Sequence, residues 1–303
     1  MLLPKNERRS MDKIAYKKIW LYAPPFAGKT TLANKFPDPL FLNTDGNINS
    51  FDGAYLRVKD EVTTNGRITT RKSAWEVFKD IIAELEKKEN DFKTIVVDLL
   101  EDTYEYCRLY CYGKLGVEHE SEAGFGKGYD TVKTEFLSTM KRLMNLDYEN
   151  IILLSHEDTT KDITKKSGDK VTTIKPNIND KTALKIAGMV DVVCRIVVDG
   201  ENRRLSFKTD EVVFGGGRLS ITNTEIPLEY DALMKVYDDA NQHAKSSRPA
   251  RQSVPVSEEK PAEPQPEIAD EPTPEPTPVE EPAAAEPVAE PQAAPTRSRR
   301  VRA

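Results

Sequence analysis

The chain has 303 residues, a formal net charge of −6, 38% hydrophobic residues and three cysteines. No run approaches the roughly 18 apolar residues of a membrane span, and three cysteines are too few for a disulfide framework, so neither a membrane protein nor a disulfide-stapled secreted fold is expected. From residue 245 onward there is no aromatic residue, and 13 of the 20 prolines fall in these last 59 positions. Such a stretch cannot bury enough surface to offset its ordering entropy, so 245–303 is expected to be a disordered, extended tail rich in Pro, Glu and Ala.

Residues 1–12 are polar and expected to be loose. Met1-Leu2-Leu3 is followed at once by Pro4 and charges, which leaves no signal-peptide apolar region. A single domain is expected over 13–244. KKIWLYA, 17–23, is a short apolar run bounded by a proline and reads as a buried strand. APPFAGKT follows as a loop, and TLANKF as a helix stopping at Pro37. PLFLN, 39–43, is a second buried strand that ends at Thr44-Asp45-Gly46; AYLRV, 54–58, is a short third one.

Ser73 caps a helix whose Trp75, Phe78, Ile81, Ile82 and Leu85 recur at helical spacing. FKTIVVDLLED gives a strand ending at Asp98, followed by helices over about 102–115 and 128–146. The next all-apolar strand, ENIILLSHED, carries Ser155 and His156 at its C-terminal end. Segment 159–176 alternates β-branched and polar residues about Ser167-Gly168-Asp169 and reads as a hairpin. A helix near 179–188, strands over 190–198 and 203–207, and a final helix over 227–244 complete the order. Strands apolar on both faces and alternating with helices imply an α/β, three-layer fold: a mostly parallel sheet covered on both sides, with a β-rich C-terminal part.

The chemistry begins at APPFAGKTT, 23–31. A strict phosphate-binding loop reads G-x-x-x-x-G-K-S/T between a strand and a helix; here Gly28, Lys29 and Thr30 are in place and Ala23 replaces the first glycine. In such loops consecutive backbone N–H groups converge on phosphate oxygens. Pro24 and Pro25 lack N–H groups but occupy only the loop entry, leaving the donors of Phe26, Ala27, Gly28, Lys29, Thr30 and Thr31. Lys29 would reach the β- and γ-phosphates of ATP and the Thr30 hydroxyl would ligate Mg2+. Asp98, a carboxylate at a strand tip, would hold the same Mg2+ through water.

The residue after Asp98 is Leu99, so a carboxylate from elsewhere must orient an attacking water. Asp45 at the tip of the second strand is preferred, with Glu101 and Asp102 as second choices that helix capping also explains. His156 stands where a polar side chain can sense a γ-phosphate and pass its presence to the hairpin; strand capping is the plainer reading. Lys161, Lys165, Lys166, Lys170, Lys175, Lys181 and Lys185 make the hairpin and the following helix start a candidate nucleic-acid contact, although Asp158, Asp162, Asp169 and Asp180 are interleaved. Tyr104, Tyr106, Tyr110 and Tyr112 suit base stacking or, preferably, core packing. Among Arg195, Arg203, Arg204, Lys208 and Arg218, the pair Lys208 and Arg218 is preferred as a charge offered to a neighbouring subunit's nucleotide. Cys107 and Cys111 with His119 admit a zinc site, but thiols in a reducing cytosol are preferred. The basic tip of the tail reads as a tethered contact for DNA or an acidic partner, or as part of a solubilising extension.

APPFAGKTTLANKFPDPLFLNTDGN, TIVVDLLEDTYEY, GFGKGYDTVKTEFLSTMKRL and NIILLSHED together resemble phage-encoded AAA/RecA-core ATPases of the Sak-type single-strand annealing group, over about residues 16–220. The resemblance implies a RecA-like P-loop fold, ATP binding by Gly28, Lys29 and Thr30, metal support by Asp98 and γ-phosphate sensing by His156. Single-stranded DNA, a single-stranded DNA-binding protein and further copies of the chain are the implied partners, in the cytoplasm. Ala23 and Asp45 depart from the group's pattern; a glutamate is more usual at the second. A carboxylate one methylene shorter implies slow hydrolysis with binding retained. A AAA+ helicase loader, a nucleotide-gated binding protein with little hydrolysis and a P-loop kinase are the alternatives. The first requires a helical lid and the last an arginine-rich helical lid.

Overall fold

A computed structural model describes residues 16–47, 52–164 and 168–246, all within one compact unit, Met1–Ala250. The expected loose N-terminus, most of the expected tail, Lys165 and Lys166 lie outside the described residues. In chain order the elements are β1 (Lys17–Ala23), α1 (Lys29–Ala33), β2 (Pro39–Asn43), β3 (Ala54–Arg57), β4 (Glu61–Asn65), β5 (Ile68–Lys72), α2 (Ala74–Lys87) and β6 (Thr94–Asp98). There follow α3 (Leu100–Leu115), a 3-10 turn (Glu120–Ala123), α4 (Lys127–Met144), β7 (Asn150–Asp158), β8 (Asp162–Thr164), β9 (Lys170–Thr172), β10 (Lys175–Pro176) and α5 (Asp180–Ala187). The order closes with β11 (Val192–Asp199), β12 (Asn202–Ser206), β13 (Gly216–Gly217), β14 (Glu225–Pro227) and α6 (Tyr230–Ser246).

The main sheet runs β14-β12-β11-β1-β7-β6-β2-β3. From β11 to β3 every neighbouring pair is parallel, while β12, β13 and β14 add an antiparallel end. This is the mostly parallel sheet with a β-rich C-terminal part that the sequence implies. Alternation along β1 separates two cores, because successive side chains leave opposite faces of a strand. Trp20 and Tyr22 join Trp75, Phe78 and Phe136 under α2 and α4, whereas Ile19, Leu21 and Ala23 join Leu32, Phe36, Leu233 and Tyr237 under α1 and α6. With both faces covered, the central strands are free to be apolar throughout, as they are.

Local signals account for most boundaries. Ser73 forms a reciprocal capping box with Glu76 at the start of α2, and Gly116, at φ 67°, ends α3. The final helix begins three residues later than its sequence pattern, since Pro227 is still paired to Arg204 across β12 and β14. Segment 61–72 forms a separate exposed hairpin of β4 and β5 turning at Gly66, φ 63°. It packs no core residue, so hydrophobic patterning is blind to it. Among the described residues a single helix follows β11. It packs Leu233 and Tyr237 against the sheet. No helix among these residues is long and apolar enough to cross a membrane.

Candidate active site

Register brings four strand tips together. Ala23 at the end of β1 pairs with His156 on β7, and Asp98 at the end of β6 pairs with Leu154 on β7 and with Asn43 on β2. The carboxyl ends of parallel strands are where open α/β sheets place their ligands. β7, which carries His156, lies between β1 and β6, beside the strand of the phosphate loop.

Ala23 keeps its place as the last residue of β1, fully buried, and Pro24 and Pro25 are exposed at the loop entry. Phe26 and Gly28 take left-handed backbone angles, φ 64° and 101°. The first bond of the α1 ladder runs from the Leu32 N–H to the Gly28 carbonyl at 3.0 Å, so the N–H groups of Lys29, Thr30 and Thr31 lie ahead of it. Ala27 is buried in the core and anchors the loop from beneath, whereas Phe26 is 92% exposed.

Lys29 is only 6% exposed, and its Nζ donates to the carbonyls of Ala23 and Pro24, each at 3.1 Å. Burial lowers its pKa, while the negative charges of Glu101, Asp98, Glu157 and Asp45, in that order, oppose the fall. The Thr30 hydroxyl donates to Asp98 Oδ2 at 2.9 Å. Burial pushes the Asp98 carboxyl up to about 6, against the pull of the Thr30 hydrogen bond. A hydroxyl and a carboxylate joined in this way, beside an ammonium, form an oxygen donor set that fits a hard cation such as Mg2+ brought in with a polyphosphate. Such a cation would stabilise the ionised Asp98 carboxylate that burial disfavours.

This has a consequence for the nucleotide-free protein. The folded pKa of Asp98, about 6, exceeds its ordinary 3.8, so the folded state holds more protons between those values. Asp98 therefore subtracts stability as pH rises from about 4 to about 6. Urea denaturation without Mg2+ should show Asp98→Asn gaining on wild type across that window, by at most ~3 kcal/mol from a shift of about two pH units. A gap that does not change with pH would contradict the assignment.

Around this centre stand three more carboxylates. Asp45 Oδ1 accepts from Asn43 Nδ2 at 2.8 Å and from the Asn47 N–H at 2.9 Å, which fixes the carboxylate while its other oxygen stays available. Glu101, in the first turn of α3, accepts with Oε1 from the His156 N–H at 2.7 Å and lies 2.9 Å from His156 Nδ1. Its Oε2 is buried without a partner. Glu157 is 4% exposed and grips Arg195 with both oxygens, at 2.7 and 3.0 Å, tying the end of β7 to β11 across β1. Thr44 Oγ1 accepts from the Leu99 N–H at 2.7 Å and lies 2.9 Å from Asp102 Oδ2, joining the turn after β2 to the start of α3. The Asp98–Leu99 peptide bond at this junction is cis.

The other sequence candidates are distributed as follows. Lys161 and Lys175 both reach Asp180, the former at 3.4 Å, and Lys170 is exposed on β9. Lys208 pairs with Glu225 at 2.6 Å, and Arg218 donates to the Gly188 carbonyl beside Asp191, at the opposite end of β11 from the phosphate loop. Within this chain Arg218 therefore does not approach that loop. Arg203 does: a methyl group placed on Gly28 would lie 3.2 Å from its Nη1 and 3.3 Å from Leu228 Cδ2. Tyr104 packs edge-on against Phe136 at 4.9 Å, Tyr106 donates to the Thr44 carbonyl, and Tyr112 donates to Glu120, so the tyrosines serve packing and pairing. Cys107 and Cys111 are buried thiols, and the described residues hold no group of three side chains suited to a metal ion.

Glu101 was legible only as a second-choice carboxylate that a helix cap also explains, and Arg203 only as one arginine of several. Their neighbours, His156 and Gly28, are remote in sequence, and no local pattern announces such contacts.

A family model described as AAA domain matches residues 15–219. No curated protein matches the chain. Among solved structures, the crystal structure of the RadB recombinase is similar at 12% identity and a TM-score of 0.32, over 63% of this chain and 79% of that one.

Proposed function

This chain belongs to the AAA domain family, and from that premise we propose that it binds and hydrolyses ATP with Mg2+ and acts on single-stranded DNA, in annealing or strand exchange, as a phage recombination protein of the Sak type that its motif order resembles. Backbone N–H groups from Phe26 to Thr31, with Gly28 and Lys29, hold the phosphates. Thr30 and Asp98 hold the metal, Asp45 orients the attacking water and His156 senses the γ-phosphate. Further copies of the chain and a single-stranded DNA-binding protein are its partners.

The observation that carries this reading is the junction at Glu101. This carboxylate exerts the leading charge on Lys29 and, with one oxygen, holds both the backbone and the ring of His156. His156 lies on β7, which runs directly into the β8–β9 hairpin with its lysines. A phosphate that draws Lys29 from the carbonyls of Ala23 and Pro24 changes the field at Glu101 and, through it, the charge balance at His156, and that change is passed to the hairpin. Glu101 takes the Nδ1 side of the imidazole, so Nε2 is the ring nitrogen left to meet a phosphate.

Hairpin lysines that meet a DNA backbone make binding salt-dependent, log K falling by about 0.7 per neutralised phosphate for a single strand. Fluorescence anisotropy of a labelled oligothymidylate, titrated with protein and Mg·ATP at several salt concentrations, tests the reading. Wild type should bind at low salt, and Lys170→Ala should bind more weakly with a slope shallower by about 0.7. Failure of wild type to bind at low salt would overturn the DNA assignment.

A further inference from the structure

We infer that Arg203 is a phosphate ligand supplied by the same chain, closing the nucleotide site from β12. The inference rests on the reading of APPFAGKT as a nucleotide site. It adds a residue that neither the phosphate loop nor the metal-binding pair contains.

Charge pairing isolates Arg203 from its neighbours. Arg195 is held by Glu157, Arg204 by Glu225 at 3.0 Å, and Lys208 by Glu225 at 2.6 Å. Arg203 lies between these residues in sequence and has no acidic partner among the described residues, although its side chain is exposed and free to seek one. Its guanidinium instead rests against Gly28, the residue before Lys29. An unpaired guanidinium beside a loop built to hold a polyanion is placed to donate to phosphate oxygens, which its planar fork suits.

Backbone geometry holds it there. Arg203 pairs with Val198 across β11 and β12, and the Leu228 N–H donates to its carbonyl at 3.2 Å. Leu228 Cδ2 flanks the same face of Gly28, so an apolar group and a cation approach the loop side by side. Gly28 allows both to come close: it lacks a Cβ and holds φ 101°, a conformation that side-chain-bearing residues rarely adopt. The antiparallel end of the sheet thereby becomes a wall of the nucleotide site, and the chain contributes its own arginine to the bound phosphates.

Calorimetric titration of Mg·ATP into the full chain tests this with wild type, Arg203→Ala and Arg203→Lys. Loss of a charge-assisted contact should weaken ATP binding about ten- to a hundredfold in Arg203→Ala, with partial recovery in Arg203→Lys, which keeps the charge without the fork. ATP affinity should also depend less on salt in Arg203→Ala than in wild type, because one cation–phosphate contact is gone. The melting midpoint without nucleotide should be the same in all three, since an exposed, unpaired side chain supports little of the fold. Equal ATP affinity in wild type and Arg203→Ala would overturn the inference and leave the nucleotide site standing. So would a loss that came with an equally lowered nucleotide-free midpoint and no recovery in Arg203→Lys. Absence of ATP binding by wild type would remove the nucleotide site and the inference together.

Discussion

Lys29→Met is expected to remain folded and to lose ATP turnover by about 10²–10³-fold, the range seen when one preorganised donor to a developing negative charge is removed. The two effects separate because Lys29 strains the fold it serves. Its ammonium is buried, its pKa is lowered by desolvation, and in the nucleotide-free protein only two carbonyls receive it. The sign follows from linkage: a lysine whose folded pKa lies below its ordinary value disfavours the folded state wherever it must stay charged. Removing that charge while keeping an apolar stem should therefore leave the nucleotide-free melting midpoint no lower than wild type. A strongly lowered midpoint would show that Lys29 acts chiefly in the fold, and unchanged turnover would show that the loop is not the site of hydrolysis.

Trp20→Ala should have the largest effect on stability, about 3–5 kcal/mol. Trp20 is fully buried in the middle of β1, packs edge-on against Phe214 at 5.9 Å, and donates its indole N–H to Ser155 Oγ at 2.9 Å. Truncation leaves a large cavity under the central strand and strands a buried hydroxyl, which adds to the loss. In a domain of this size the midpoint should fall by roughly 10 °C. Trp20→Phe, which fills most of the volume and loses the hydrogen bond, should fall by roughly a third as much. Because Ser155 precedes His156 on β7, the alanine variant should also bind ATP more weakly at temperatures where it is still folded. Chemical denaturation of the three proteins checks the order; a shift of under 1 kcal/mol in Trp20→Ala would contradict the packing described.

The parts of the fold that could be read in advance were those encoded locally. Residues 17–23 and 39–43 were bounded to the residue because each is an apolar run closed by proline or a turn sequence. The phosphate loop and Asp98 were legible for the same reason: each is a short pattern fixed to the end of a strand. Hidden from the sequence were contacts that depend on which strands become neighbours. The Glu101 carboxylate reaches His156 across 55 residues. The β12 strand brings Arg203 to Gly28 only once β11 has docked beside β1. Gly215 and Gly217 lie against the backbone of Lys208 and Asp191, where a Cβ would collide. There glycine marks close packing of the sheet, and nothing in the local sequence distinguishes it from a mobile loop.

The central claim is that nucleotide turnover at Lys29 and Asp98 is coupled to single-stranded DNA. The direct measurement is steady-state ATP hydrolysis by the full chain with Mg2+, with and without single-stranded DNA, for wild type and Lys29→Met. Wild-type turnover that is slow alone, rises when DNA is added and disappears in Lys29→Met is the predicted result. Turnover indifferent to DNA, or raised instead by a free nucleoside, would contradict it.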